Sequence, residues 1–358
     1  MIDKSILDCL VVSPDAPMME AIAVLTRGAR KIVLVIDDAQ KLLGVITDYD
    51  VRMAILDHVS FDESVSKIMK PDPVVVAADA EEHEIISILA NRRVAQLPVV
   101  DDLGRVVDIH FIEEYQHLQE PHIERTAVIM AGGLGTRLHP VTDRVPKPLL
   151  EVGGQPILFI LIDQLLSEGF ERIYVTLNHM RDMIIASING VPRYRDKVEF
   201  VVEDKPLGTA GSLSLLPQRP QTPFVVINAD LVTNVSLDDM LSHHRRDSNA
   251  VTLATKRHTH DLPYGVAEIE GSRVVCLREK PTLNYFINTG VYVVSPSVLD
   301  GIADDQYIDM TDVVTQLLED GQQVGSFAVH EYWIDIGTHD QYAKAQEEYP
   351  NHFHENGK

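Results

Sequence analysis

Hydrophobic and polar positions repeat in the first third of the chain. The equivalent residues lie 64 positions apart without a gap: Asp15 and Asp79, Ile22 and Ile86, Leu25 and Leu89, Val35 and Val99, Asp37 and Asp101. Each copy predicts a short strand, an amphipathic helix (Ala16–Arg27 or Ala80–Asn91), a strand ending in two aspartates, and a further strand. Because each copy has an apolar helix face to bury, we expect the two copies, about 1–62 and 63–120, to stack on each other.

A second pattern follows a polar segment. Residues 117–125 carry a proline and few apolar side chains, so this segment, residues 121–125 above all, is predicted to be a linker. Strands then alternate with helices over residues 126–350, beginning with the apolar run Thr126–Ala131. The last residues, 351–358, are polar and predict a frayed tail. The chain is therefore expected to hold a repeat pair followed by a larger α/β domain.

Composition and charge narrow the class of protein. A 358-residue chain with 45% hydrophobic and 24% charged residues fits a globular protein of two domains. The net charge is −23, shared between 22 acidic and 11 basic residues up to residue 120 and 32 and 20 beyond it. Neither part has the basic surface expected for binding nucleic acid or an anionic membrane. The two isolated cysteines, and no apolar run of signal-peptide or membrane-spanning length, predict a cytoplasmic protein.

Four histidines, two in each of two polar stretches, have no pattern that favours a metal site. We predict that His243, His244, His258 and His260 are solvated surface residues. Trp333 is predicted to contribute to packing.

The stretch AGGLGTRLHPVTDRVPKP, residues 131–148, predicts an anion-binding loop. Gly132, Gly133 and Gly135 directly follow the buried strand, and glycine lets backbone N–H groups approach an anion closely. The loop is neither a P-loop, because no GK[ST] follows, nor a dinucleotide fingerprint, because Leu138 stands where the last glycine belongs.

Two cations complete this loop. The guanidinium of Arg137 can bind phosphate oxygens in a forked arrangement. Lys147 lies between Pro146 and Pro148, which restrict the backbone on both sides and hold the lysine in a defined position. Both cations stand in a strongly acidic chain, which favours a specific role in binding an anion.

The repeat pair resembles a pair of CBS motifs. The best local marker is GVITDYDV, residues 44–51. In that family, a hydroxyl residue and an aspartate three positions later contact the ribose and phosphate of adenosine ligands, which implies Thr47 and Asp50 here. The second copy, DIHFIEEY, lacks both groups. The resemblance implies an adenine nucleotide at no more than one such site, or else a pair that only dimerises the protein, and we expect a homo-oligomer.

The larger domain resembles the sugar-1-phosphate nucleotidyltransferases, including mannose-1-phosphate guanylyltransferases. The resemblance rests on GGLGTRLHPVTDRVPKPLLEVGGQPIL and extends from about Thr126 to Tyr349. It implies a doubly wound, mostly parallel sheet with the nucleotide at the carboxyl ends of the strands. It also implies catalytic roles for Arg137 and Lys147, and a nucleotide-binding loop formed by Ala131, Gly132, Gly133, Gly135 and Thr136.

The same resemblance implies a Mg²⁺ site. Asp230 ends the apolar run PFVVINAD, and Asp335 lies near the end of EYWIDIGT. Mg²⁺ between phosphates prefers carboxylate oxygens and water as its ligands. The resemblance further implies a set of sugar-phosphate ligands: Gly265, Glu279, Lys280, Asn288 and Thr289.

The segment VEDKPLGTAGSL bears on nucleotide choice. The resemblance places Gly208 and Thr209 under the base and Glu203 at its edge. A carboxylate only accepts hydrogen bonds. Guanine offers two adjacent donors, whereas thymine and uracil offer one donor between acceptors. Glu203 therefore favours GTP.

The reaction implied is transfer of a nucleotidyl group from GTP to a sugar 1-phosphate, with release of pyrophosphate. The combination of a CBS pair and this domain is similar to the glucosamine-1-phosphate guanylyltransferases of bacterial legionaminic acid synthesis. Mannose 1-phosphate and a heptose 1-phosphate remain open as substrates. A catalytically inactive regulator that binds nucleotide-sugars is the alternative of a different class.

Overall fold

A computed structural model describes residues 7–353, apart from residues 29, 93, 116–123 and 134. The chain divides into two compact units, Met1–His122 and Ile123–Lys358. The predicted linker falls largely on residues outside the described ones. Among the helices described, none combines the length and the apolar character needed to cross a bilayer.

The first unit contains, in its described part, two three-stranded sheets with the same topology. In each sheet the first two strands are parallel and the third is antiparallel to the second. The strands are β1 Val11–Val12, β2 Ile32–Ile36, β3 Leu42–Thr47, β4 Val76–Ala77, β5 Gln96–Val100 and β6 Val106–Phe111, and the helices are α1 Met18–Gly28, α2 Asp48–Leu56 and α3 Glu82–Arg92. The two copies predicted from the sequence therefore fold alike.

The two copies meet through equivalent residues. Leu42 N donates to Gly104 O at 3.0 Å, and Val106 N donates to Gln40 O at 3.2 Å. Leu42 is equivalent to Val106, and Gln40 is equivalent to Gly104, each at the offset of 64 positions. The two bonds are therefore related by a local pseudo-two-fold axis. Phe111 of the second copy also packs in the apolar core of the first. The repeat in the sequence thus becomes one packed unit.

The second unit is built on a mixed sheet with helices on both faces. Its strands are β7 Thr126–Met130, β8 Glu151–Val152, β9 Gln155–Pro156, β10 Arg172–Leu177, β11 Val198–Val202, β12 Phe224–Asn228, β13 Leu231–Thr233, β14 Val251–Asp261, β15 Val266–Glu270, β16 Arg273–Arg278, β17 Thr282–Val294, β18 Val324–Ala328 and β19 Trp333–Asp335. Its helices are α4 Ile157–Ser167, α5 Arg181–Asn189, α6 Gly208–Gly211, α7 Leu237–Asp247, α8 Met310–Glu319 and α9 His339–His352.

The large sheet of this unit has the strand order β11-β10-β7-β12-β17-β14-β18 over the described residues. All of its strands run in one direction except β17, which is antiparallel to both of its neighbours. Along β7, Ala127 and Ile129 enter the core on one face of the sheet, and Val128 enters the core on the other. A strand covered on both faces is continuously apolar, as this one is. The predicted mostly parallel α/β fold is confirmed.

The order of the strands reverses beside β7. The chain passes from β7 outward to β10 and β11, and then returns to place β12 on the other side of β7. In such sheets a crevice opens at the carboxyl ends of the two strands where the order reverses. The glycine loop follows β7, and Asp230 follows β12, so both lie at this switch point.

The predicted tail begins too early. Helix α9 continues to His352, and the ring of Phe353 stacks on Tyr349 and meets Tyr332 edge-on. These aromatic rings pack against a core cluster of the domain. The boundary predicted at residue 350 therefore falls inside a packed helix. The segment is mostly polar in sequence, so the packing of Phe353 against the domain was not predicted.

Two of the four histidines are not solvated. His258 and His260 are exposed on β14, as predicted, but His243 and His244 are buried on α7. The His244 ring lies between Thr252 Oγ1 and Ser295 Oγ, each 2.9 Å from a ring nitrogen. The prediction for this pair was wrong because the helix turns both rings under the sheet, where hydroxyl groups satisfy His244.

Burial lowers the pKa of His244 from 6.5 to about 4. The unfolded chain binds the proton more readily, so folding is favoured most above pH 6.5 and less as the pH falls towards 4. We expect the free energy of unfolding to fall by about 1–3 kcal/mol across this range. Urea denaturation at a series of pH values measures it. His244→Gln should remove this component of the pH dependence, and equal pH slopes in the two proteins would refute the assignment.

Candidate active site

The glycine loop lines a cavity of about 410 Å³ at the switch point. Its wall contains these predicted residues: Ala131, Gly132, Gly133, Gly135, Thr136, Arg137, Lys147, Glu203, Gly208, Thr209 and Asp230. They come from four separate parts of the chain, and the carboxyl ends of β7, β11 and β12 bring most of them together.

Two of the glycines lie close to side chains of the site. Gly135 has φ +64°, and a Cβ there would lie 3.2 Å from Lys147 Cβ. A Cβ on Gly132 would lie 2.9 Å from Glu203 Oε1. The backbone of the loop can therefore pack directly against the lysine on one side and the glutamate on the other, and it faces the cavity without side chains.

The two aspartates meet through a short antiparallel pair. Strand β13 begins directly after Asp230, and its Leu231 pairs with Asp335 of β19. Ile336 N donates to Asp230 O at 2.9 Å and closes this junction. Carboxylates more than 100 positions apart in the sequence thus become neighbours.

Lys147 is placed between these carboxylates. Its Nζ forms an ion pair with Asp230 Oδ2 and lies 4.0 Å from Asp335 Oδ1. A Cβ on Gly337 would lie 3.4 Å from Arg137 Nη1 and 3.5 Å from Asp335 Oδ1, so Arg137 flanks the same group. Burial raises the pKa of Asp335, the Asp230 carboxylate raises it further, and Lys147 and Arg137 oppose both effects. Two cations and two anions therefore share one small site.

The oxygen atoms of this pair fit a divalent cation. Asp230 Oδ1 and Asp335 Oδ1 are both buried, and among the described residues neither has a hydrogen-bond partner. Burial of a carboxylate oxygen without a hydrogen-bond partner is unfavourable, and a bound metal ion can offset this cost. Hard cations such as Mg²⁺ prefer these oxygen ligands. The residues present therefore suit the metal that the sequence implied.

Glu203 also lines the cavity. Its side chain is buried, and Oε2 accepts a hydrogen bond from Leu207 N at 3.0 Å. Burial raises the pKa of Glu203, and the Leu207 bond opposes this shift. Since Oε1 lies beside Gly132, the carboxylate faces the cavity next to the glycine loop. It is placed to accept hydrogen bonds from a group held there.

Asp309 and Tyr307 also line the cavity, although the sequence analysis did not predict them as site residues. Asp309 Oδ1 accepts bonds from Thr209 N at 2.8 Å and Thr209 Oγ1 at 3.1 Å, and Oδ2 accepts from Tyr307 OH at 3.3 Å. Asp309 precedes helix α8 in a capping box with Asp312. In the sequence, this pattern indicates only that Asp309 caps a helix. It does not indicate the contact with Thr209, which lies one hundred positions earlier.

Three of the predicted sugar-phosphate ligands lie outside the cavity wall. Gly265, Glu279 and Lys280 flank the exposed hairpin β15–β16. A Cβ on Gly265 would lie 2.9 Å from Glu279 Oε2, so these two positions are adjacent. The structure places Gly265 beside Glu279, and none of the three residues lines the cavity with the glycine loop.

The remaining two lie on β17. Thr289 is buried, its hydroxyl donates to Ala254 O at 2.8 Å, and its carbonyl accepts from Trp333 Nε1 at 2.9 Å. Asn288 Nδ2 donates to Tyr292 OH at 2.6 Å. Neither residue is part of the cavity wall. Trp333 packs against the core, as predicted.

In the first unit, Thr47 and Asp50 bond to each other at the start of α2. Asp50 Oδ2 accepts from Thr47 N at 2.8 Å and from Thr47 Oγ1 at 2.6 Å. At the equivalent positions of the second copy, Glu114 accepts from Phe111 N at 3.3 Å. The prediction that the second copy lacks both groups was therefore wrong for the carboxylate: Glu114 keeps the capping role of Asp50, and only the hydroxyl is lost.

The fold and the cavity define an α/β protein with a glycine-lined, cation-bearing cavity at the carboxyl edge of its sheet. Comparison with known families is more specific. Residues 126–352 match the family model described as nucleotidyl transferase, and the chain belongs to that family. Residues 4–57 and 65–109 match the CBS domain model, so the resemblance of the repeat pair is confirmed as well.

Individual relatives point the same way. The chain is 31% identical over 220 residues to a mannose-1-phosphate guanyltransferase of Aspergillus oryzae, an alignment that covers 59% of this chain and 60% of that protein. It is 32% identical over 219 residues to the mannose-1-phosphate guanylyltransferase catalytic subunit beta of Danio rerio, with 59% and 61% covered. The chain thus spans about 60% of the length of these curated relatives.

A solved structure covers the same region. HddC from Yersinia pseudotuberculosis matches with a TM-score of 0.51 and 28% identity, over 63% of this chain and 99% of that one.

Proposed function

We propose that this protein transfers GMP from GTP to a sugar 1-phosphate, forming a GDP-sugar and pyrophosphate. The observation that carries the proposal is the meeting of Arg137, Lys147, Asp230 and Asp335 beside a glycine loop at the switch point. The substrates are ionised cytoplasmic metabolites, and we propose the cytoplasm as the site of action.

The obstacle to this reaction is charge repulsion. A sugar-phosphate oxygen attacks the α-phosphorus in line, a new P–O bond forms, and the bond to pyrophosphate breaks. The attacking oxygen is already ionised, so no protein base is required. Two unit negative charges about 4 Å apart repel by roughly 4 kcal/mol at an effective dielectric constant near 20. Catalysis therefore depends on positioning and neutralising the phosphates.

We assign these tasks to three cations of the chain. Arg137 binds the leaving phosphates, and Lys147 binds the α-phosphate, for which it must leave Asp230. Lys280 holds the incoming phosphate and must approach from the exposed hairpin. Asp230 and Asp335 would hold Mg²⁺, which when bound supplies further neutralisation of phosphate charge.

Glu203 is proposed to select guanine. Its buried carboxylate accepts hydrogen bonds only, and guanine N1–H and N2–H can both donate to it. A pyrimidine base brings a carbonyl oxygen against the same carboxylate and leaves a buried charge unsatisfied. Gly208 and Thr209 also line the cavity, and Thr209 N donates to Asp309 Oδ1.

Replacing Glu203 with Gln should relax the choice of nucleotide. We expect kcat/KM for GTP to fall by about 10- to 100-fold, since hydrogen bonds to a charged group are lost, while the ratio of GTP to UTP activity falls with it. Asp204→Asn, which changes the exposed neighbour, is the matched control. Unchanged preference for GTP in Glu203→Gln, measured by pyrophosphate release, would remove Glu203 from the assignment.

For the sugar we propose glucosamine 1-phosphate. The combination of a CBS pair with this domain supports the choice. So does Glu279, a carboxylate beside Gly265 that could pair with the ammonium group of this sugar. Mannose 1-phosphate, named in the relatives, and a heptose 1-phosphate are the alternatives.

The deciding experiment measures pyrophosphate release over a grid of nucleoside triphosphates and sugar 1-phosphates. GTP with glucosamine 1-phosphate should give the highest kcat/KM. If pyrophosphate release is fastest with GTP and another sugar 1-phosphate, the guanylyltransferase activity is supported and the proposed sugar is replaced. Binding of GDP-sugars without turnover on any pair would establish the alternative, an inactive nucleotide-sugar sensor.

The first unit is proposed to bind an adenine nucleotide beside Thr47 and Asp50. Calorimetric titration with AMP tests this directly. Heat of binding in the unmodified protein that is lost in Thr47→Val would support the site. If AMP gives no heat of binding with the unmodified protein, the alternative that the repeat pair only dimerises the protein is favoured. Repeating the activity grid with AMP present gives the sign of any regulation.

A further inference from the structure

Strands β14 and β17 continue well beyond the core of the second unit. Both are buried where they pair Val251 with Val294, half-buried where they pair Lys256 with Ile287, and mostly exposed towards the pair of Asp261 with Thr282. The hairpin β15–β16 is inserted between these exposed ends. We call residues 256–286 the arm. Two-stranded ribbons of this kind are only marginally stable in water unless something covers them.

One face of the hairpin in the arm is apolar. Ala267 lies opposite Leu277, and Ile269 lies opposite Val274, so these side chains share a face. Ile269, Val274 and Leu277 are 64%, 63% and 70% exposed. Clustered exposed aliphatic side chains of this size are uncommon on a monomer surface and mark an interaction site.

The edges of this hairpin are also open. Over the described residues, β15 and β16 form a sheet of two strands, so each has one side without a neighbouring strand. Unpaired edges beside an apolar face are a template for another chain. The arm therefore offers both a surface to bury and backbone groups to pair.

Charge indicates which partner fits. The arm has five basic residues (Lys256, Arg257, Arg273, Arg278, Lys280) and four acidic ones (Asp261, Glu268, Glu270, Glu279), a net charge of +1. The rest of the chain has 26 basic and 50 acidic residues, a net charge of −24. Two copies of such a chain repel each other over most of their surface. The arm is where they can approach without that repulsion.

We propose that the arm is the interface of a homodimer, in which the Ile269–Val274–Leu277 face of one copy packs on the same face of the other. A two-fold axis makes such a contact self-complementary. The proposal does not depend on the reaction that the protein catalyses.

The test compares oligomeric state in two variants of the full chain. Leu277→Asp places a charge in the centre of the proposed interface, and Leu318→Asp makes the same change at a leucine that is 58% exposed on α8. Sedimentation velocity over a concentration series should show a dimer for the unmodified protein and for Leu318→Asp. In Leu277→Asp the dissociation constant should rise by about 30-fold or more.

A spin label gives an independent measurement. Cys9 and Cys276 are the cysteines of the chain, and Cys276 lies opposite Glu268, on the other face of the hairpin from Leu277. In a Cys9→Ser background, a label on Cys276 leaves the interface free. Packed faces lie about 10 Å apart, so the two labels should be within roughly 20–35 Å and give a dipolar coupling.

Three results would overturn the proposal. The unmodified protein could be monomeric throughout the series, which would mean that its own chain or solvent covers the arm. It could be a dimer that Leu277→Asp leaves intact, or a dimer whose Cys276 labels show no coupling. Either of the last two would place the contact elsewhere. Circular dichroism of Leu277→Asp establishes that the variant is folded, and the label distance does not depend on that variant.

Discussion

Asp230→Asn is expected to lower kcat by about 10²- to 10³-fold, the loss typical for removing one preorganised electrostatic group from an active site. Asparagine has the same shape but lacks the charge that pairs with Lys147 and faces Asp335. One buried carboxylate oxygen that suits a metal ion becomes part of a neutral amide. Pyrophosphate release at saturating substrates, repeated over a Mg²⁺ series, measures both turnover and metal dependence.

The matched control for this change is Asp340→Asn. Asp340 is exposed in the first turn of α9, five positions from Asp335, and it is not part of the cavity. Its kcat should match that of the unmodified protein. Because the change at Asp230 conserves volume, the thermal midpoint should remain close to that of the unmodified protein in both variants. Full turnover in Asp230→Asn would exclude this carboxylate from catalysis and leave the metal site without support.

Arg137→Ala should reduce kcat/KM by about 10²-fold or more. The residue is exposed in the loop after β7, so its removal leaves no cavity in the core. It lines the cavity beside Gly337 and Asp335, where its charge can meet phosphate oxygens. A forked guanidinium bound to phosphate supplies both charge and geometry, so Arg137→Lys should restore only part of the loss.

Arg144→Ala is the control for this loop. Arg144 is an exposed arginine seven positions away that does not line the cavity. Loss of activity in Arg137→Ala alone assigns the effect to the position of the charge. Equal losses in both variants would mean that the loop depends on its total charge, and the role given to Arg137 would be withdrawn.

The repeat pair and the glycine loop could be predicted from the sequence because their signals are local. A constant offset of 64 positions marks two copies, and glycines after an apolar strand mark a loop in which the backbone is bare. One of these glycines, Gly135, has φ +64°, and a Cβ on another, Gly132, would lie 2.9 Å from Glu203 Oε1. Local periodicity and turn chemistry are set by residues adjacent in the chain, so no knowledge of the packing is needed.

The environments of Asp309 and His244 could not be predicted from such local signals. Asp309 has the pattern of a helix cap, and its contact with Thr209 arises only because α8 packs against a loop one hundred residues earlier. His244 stands in a polar stretch, and its burial depends on which side of α7 meets the sheet. The apolar face of the arm has ordinary strand periodicity, and only the tertiary structure reveals that Ile269, Val274 and Leu277 are exposed in the second unit.

The amino-acid sequence alone indicated the two-part organisation, the repeat in the first part, the alternation of strands and helices in the second, and the residue types available for binding phosphates and a metal. Tertiary structure decided which of those residues meet: the pairing of β13 with β19 joins Asp230 to Asp335, and the order of the sheet brings the glycine loop beside them. The reason is physical. Propensity and periodicity act over a few residues, whereas a site is assembled by sheet register and helix packing between segments far apart in the chain.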